Sequence, residues 1–233
     1  MRFKYLPVLG GILLQAACFV EREPTGPTKY DSFAIERDKS AQVNVNLEMG
    51  AGNLKVGTGT SKLAQAYFTY NVPSWKPVVD YSAGELTIRQ PGHGRAHIGN
   101  VKSEWDLRLG RQIPVDVHVH FGAGEAQLDL GSLDLRSVSV DMGVGKMQMD
   151  LRGDPTHDYD VRINGGVGEA TVHLPTKAGV YATAEGGIGE IRAVGLKKRN
   201  DHWVNDAYDT ARVKVRVDVK GGIGRIELIG DAE

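Results

Sequence analysis

Glycine, one small or apolar residue, then glycine recurs along the chain, with pairs beginning at positions 50, 122, 143, 166, 187 and 222. From 122 onward the spacings are 21, 23, 21 and 35 residues. Self-similarity at such a period marks stacked supersecondary units, and alternation shows what the unit is. Val115, Val117, Val119 and Phe121 precede one corner, alternating with Asp116, His118 and His120, and Ala126, Leu128 and Leu130 follow it. Val138, Val140 and Met142 lead into the next corner, which Met147, Met149 and Leu151 follow. Each unit therefore reads strand, GxG corner, strand.

Copies running in one direction cannot form a hairpin meander, because parallel neighbours need a crossover. The expected fold is all-β. It is a single-domain β-solenoid, a β-helix-like stack of short parallel strands with GxG corners and a less regular N-terminal section. The competing arrangement is a sandwich of antiparallel strands. Glycine numbers 30 of 233 residues, about double the usual ~7%. Corners stacked on one another account for it, since the turn needs positive φ and thin backbone. The residue between the glycines (Ala51, Ala123, Val144, Val167, Ile188, Ile223) is expected to point inward. Stacking in chain order predicts an outward column Glu125, Lys146, Glu169, Glu190, Arg225. A second column runs Gln127, Gln148, Thr171, Arg192, Glu227.

The boundaries follow from composition. Residues 1–17 read as a signal peptide, with Arg2 and Lys4, a short apolar stretch and small residues before a cut. Cys18, the only cysteine, is then the lipid-anchor candidate of an exported, membrane-anchored lipoprotein of the bacterial cell envelope. Residues 18–30 read as a tether, and residues 31–233 as the folded domain. Within it 31–111 are less regular, 112–233 carry the regular repeats, and 196–210 form a loop.

Several segments in one order resemble the bacterial toast-rack family across residues 30–230. They are "LEMGAGNLKV", "YNVPSWKPVV", "EWDLRLGRQIPVDV", the GxG repeats and "WVNDAY". More loosely the chain is similar to GxG-rich candidate adhesins and to LiaF-like C-terminal domains. That resemblance implies a stacked-strand envelope domain that senses or scaffolds, in adhesion or in cell-wall and membrane stress. It supplies no catalytic residues.

Chemistry is thin along the chain. A net charge of −1 without a basic cluster argues against nucleic acid. His118 and His120, spaced i, i+2 on one strand face, are weak metal candidates. Asp129 and Asp150 should stack, with His173 beyond, as paired carboxylates of polysaccharide-active β-helices do. No P-loop, G-x-S-x-G or H-E-x-x-H pattern is present. Trp75, Trp105 and Trp203 are candidate binding-surface residues, because exposed aromatics anchor partners. The expected function is therefore non-enzymatic, without cofactor. It is an interaction, scaffold or sensor domain for a protein or cell-surface component, and the alternative is a carbohydrate-binding or polysaccharide-active β-helix.

Overall fold

The structure, a computed structural model, describes residues 22–92, 96–98 and 100–230. The expected signal peptide and Cys18 lie outside the described residues. Strands β1 (Arg22–Pro24), β2 (Lys29–Ile35), β3 (Val43–Thr58) and β4 (Ala64–Tyr70) come first. A short 3-10 turn (Pro73–Trp75) follows, then β5 (Val78–Ser82), β6 (Glu85–Arg89), β7 (Ala96–Ile98) and β8 (Ser103–Leu109). The regular half holds β9 (Val115–Asp129), β10 (Leu135–Asp150), β11 (Tyr159–Leu174) and β12 (Gly179–Val194). The chain closes with β13 (Lys197–Arg199), β14 (His202–Val204) and β15 (Lys214–Gly230).

The long strands β3, β9, β10, β11, β12 and β15 are the repeat units. Each runs through its GxG corner as two arms. Neighbours pair in parallel with glycine on glycine: Gly145 lies beside Gly124 on one side and Gly168 on the other. The expected parallel stack is therefore what the chain forms. Alternation places Val117, Val119 and Phe121 of one arm and Leu128 and Leu130 of the other in one buried cluster. Antiparallel strands complete the less regular end, where β4 lies between β2 and β8.

Four expectations need revision. The stack does not follow chain order. Across the sheet the units run β3, β9, β10, β11, β15, β12, so the last strand inserts between β11 and β12. The segment 196–210 makes this possible, because it is not merely a loop. Its hairpin, β13 with β14, pairs on the outer side of β12 at Tyr181 and Ala182 and lets the chain re-enter one slot back.

The second revision concerns charge. In the true order the outward column reads Glu125, Lys146, Glu169, Arg225, Glu190, so sign alternates at every step. Lys146 lies 3.6 Å from Glu169, and Arg225 lies 3.3 Å from Glu190. Exposed pairs contribute about 0–1 kcal/mol each, so the column chooses neighbours more than it stabilises them.

Third, the residue between the glycines points outward. Val144 is 54% exposed and Ile188 71%. The apex of a bend whose two arms both face the core lies on the convex side. Fourth, the stretch read as a tether already holds β1, which pairs with β7, and the first residues of β2.

The two ends of the stack differ. At the β3 end the buried Gln90 side chain imitates a neighbouring peptide group. Its carbonyl oxygen accepts from the Ala51 N–H at 2.9 Å, and its amide donates to the Ala51 carbonyl and to Ser103 Oγ, both at 3.1 Å. The corner of the terminal strand is thereby capped. At the β12 end a second buried amide, Asn205, closes only the foot of the arm. It accepts from the Val180 N–H (2.9 Å) and donates to the carbonyls of Ala178 (2.8 Å) and Pro175 (3.1 Å). Asn205→Ala leaves these buried groups without partners and should cost about 2–3 kcal/mol. Urea denaturation should show an earlier midpoint with an unchanged slope.

Candidate interaction surface at the open end of the stack

Beyond Ala182, β12 pairs on one side only: β15 lines residues 179–194, while β14 reaches only Tyr181 and Ala182. Among the described residues, 183–194 thus form an open edge with no strand beside it, a template for another strand. Side chains lose burial along it. Ile191 stands in register with Ile226, which is 5% exposed, yet Ile191 itself is 38% exposed.

The corner adds an apolar ridge. In spatial order its apex residues are Ala51, Ala123, Val144, Val167, Ile223 and Ile188, so they grow larger toward the open edge. Beneath the ridge the bend is hollow. Met49, Phe121 and Met142 fill the inner corner of β3, β9 and β10, whereas Gly165, Gly221 and Gly186 occupy the matching positions of β11, β15 and β12. The result is an apolar cavity of about 70 Å³ lined by Ile163, Val219, Ile226 and Ile191. A ridge, a hollow and an open edge at one place make a contiguous apolar patch, the usual mark of an interaction site.

The tryptophans do not form one surface. Trp105 is 2% exposed and packs edge-on against Phe68, with ring centroids 5.5 Å apart; it belongs to the core and cannot contact a partner. Trp75 is half-buried in the 3-10 turn. Trp203, on β14, is half-buried against the core, with the Lys198 ammonium 5.3 Å from its ring.

His118 and His120 are exposed on β9 beside Ser139 and Asp141 of β10, the neighbours the stack predicts. Among the described residues no group of three His, Cys, Asp or Glu side chains could hold a metal ion. Asp129, Asp150 and His173 do form a row. Arg152, with a guanidinium N–H 2.6 Å from the Asp150 carboxylate, holds that carboxyl below its usual range. An arginine-paired carboxylate makes a poor general acid. The side chains that form the patch were missed in the sequence, because an apolar residue in a corner reads as a core residue.

Among the described residues no helix is long and apolar enough to cross a membrane. No curated protein matches the chain. The structure of a candidate cell-adhesion protein from Clostridium sporogenes shares 32% identity, covers 88% of this chain and 100% of its own, and superposes with a TM-score of 0.86. Candidate adhesins from Bacteroides fragilis and Parabacteroides distasonis align at 11% and 14% identity over 89% and 88% of this chain and 99% and 100% of theirs, with TM-scores of 0.30 and 0.32. Residues 24–173 match the model of the N-terminal domain of toast-rack proteins, DUF2154. With that match over more than half its length, the chain belongs to the toast-rack family.

Proposed function

We propose that this protein is a non-enzymatic interaction module of the bacterial cell envelope. Cys18 carries a lipid anchor, and the β12 end of the stack is the surface presented to a protein or cell-surface component. The observation that carries the reading is the patch itself: Val144, Val167, Ile223 and Ile188 stand exposed in one row that ends at the open edge of β12. A soluble fold gains nothing from displaying large apolar side chains in a row, whereas a docking surface gains burial at about 25 cal/mol per Å². The similarity to a candidate cell-adhesion protein supports the same class. Stress sensing is a finer variant that the resemblance alone suggests.

Two measurements test the reading. Mass spectrometry of protein purified from native membranes should find Cys18 acylated, and Cys18→Ser should release the protein from the membrane fraction. A photo-crosslinking residue at Ile188 or Ile223 should give discrete adducts in cells, while one at Arg162, exposed on the opposite arm, should give none. Equal labelling at all three positions, or none at any, would remove the patch from the account.

A further inference from the structure

The open edge of β12 carries its own complement, and we infer that its occupant is a second copy of this chain, joined edge to edge with β12 antiparallel to β12 about a two-fold axis at Ile191. This rests on reading the β12 end as an interaction surface, and it names the partner.

Register decides the matter. On the free arm Glu190, Arg192 and Val194 lie on the outer face, aligned with Arg225, Glu227 and Ile229, while Ile191 and Ala193 face the core, aligned with Ile226 and Leu228. A dyad at Ile191 places Glu190 opposite the second copy's Arg192, twice, and Ile188 opposite its Val194. The core-facing Ile191 meets its own copy, so the two apolar inner faces continue into each other. Shifting by one residue per strand puts like charges on the axis, Glu190 on Glu190 or Arg192 on Arg192, which is unfavourable between directly opposed strand residues. The intermediate registers turn the apolar face of one copy to the outer face of the other. Of these registers, the dyad at Ile191 alone satisfies both conditions.

The charge columns continue through it. Glu190 already pairs with Arg225, and Arg192 lies 3.7 Å from Glu227. Adding the second copy extends Glu169, Arg225, Glu190 by an arginine and Glu227, Arg192 by a glutamate, so the alternation along the stack carries on across the axis. The ends of the stack agree with this. Gln90 caps the corner at the β3 end, and among the described residues β12 has no such cap at Ile188. A dyad contact of this kind closes after two copies.

The test uses the full chain carrying Cys18→Ser. Sedimentation equilibrium should show a dimer, and Glu190→Arg and Arg192→Glu should each weaken it about tenfold or more, because both symmetric pairs become like-charged. Mixing the two variants should restore association as a heterodimer, since position 190 of each copy then faces the opposite charge at position 192 of the other. No other register predicts that rescue. Ile191→Cys, then the only thiol, should form an intermolecular disulfide on mild oxidation, because opposed residues lie about 4.5–5.5 Å apart between Cα atoms. A wild-type chain that stays monomeric up to its solubility limit overturns the inference. So does a mixture no tighter than the single variants, or open-ended growth through the opposite edge at β2. If ridge crosslinks to other molecules persist while the chain is monomeric, only the second-copy partner falls; if no crosslinks form, the interaction surface falls with it.

Discussion

Replacing Gly145 by valine should lower the melting temperature by at least about 6–12 °C, corresponding to about 3 kcal/mol or more in a chain of this size. Gly145 has φ near +142°, a region that side-chain-bearing residues enter only at a cost of about 1–3 kcal/mol. Strain is the smaller part. A Cβ built on Gly145 would lie 1.9 Å from the carbonyl oxygen of Gly124 on the neighbouring strand. Backbone offers no side chain to swing aside, so β10 must move off β9 and surrender ladder hydrogen bonds on both sides of the corner. The column is recursive, because a Cβ on Gly168 would lie 1.8 Å from the Gly145 carbonyl in turn. A displaced corner in the middle of the stack is therefore felt by its neighbours. Gly57→Ala is the control: its added methyl meets nothing nearer than 3.9 Å, and the change should stay within about 0.5 kcal/mol. Matched thermal melts of the two variants check the contrast. Coincident melting of Gly145→Val and wild type would mean that the corners are not in backbone contact.

Most of the architecture is legible in the sequence because period-two alternation and the spacing of the glycines both act locally. Val115 to Phe121 and Ala126 to Leu130 announce which side chains face the core. Repeat spacing announces which strands are equivalent, and the expected neighbours of His118, His120, Asp129 and Asp150 are those the fold provides. Order in space is another matter. Chain order suggests that β12 follows β11, yet β15 lies between them. The clue was present in the charges: Glu169, Glu190, Arg225 places two glutamates side by side, and moving Arg225 between them removes the clash.

The caps leave no such trace. Gln90 and Asn205 act through contacts with residues at least 13 positions away, and one buried amide looks like any other in a polar segment. The apex residues mislead for a definite reason. Inward residues Met142 and Met147 are an odd number of positions apart, so the corner shifts the alternation by one, and an apolar residue within it falls outside both arms. The patch at the β12 end is hidden by the same effect.

Trp105→Ala should destabilise the fold by about 3–5 kcal/mol, the range for removing a large buried aromatic side chain, and lower the melting temperature by about 6–20 °C. Phase already points inward: in "SEWDLRL" the tryptophan shares its face with Leu107 and Leu109, and Ser103, Trp105, Leu107 and Leu109 are all buried. β8 lies between β3 and β4, so Trp105 sits opposite Leu54 on one side and Phe68 on the other. Phe68 in turn meets Phe33 of the edge strand β2 at 6.0 Å, edge to face. Truncating Trp105 removes the inner end of this aromatic row, against which Phe68 packs, and loosens the end that Gln90 caps. Among the described residues its buried indole nitrogen has no hydrogen-bond partner, an arrangement that costs about 1–3 kcal/mol. Trp105→Phe therefore removes an unsatisfied donor along with part of the ring, and it should cost far less than alanine, about 1 kcal/mol or below. That ordering separates a packing role from a binding one. A binding tryptophan at the surface would leave stability untouched in both variants and lose partner adducts in both. A core tryptophan gives a large loss with alanine, a small one with phenylalanine, and unchanged crosslinking from Ile188 in whatever fraction remains folded. Melting curves for the two variants, with crosslinking measured well below their midpoints, distinguish the two roles.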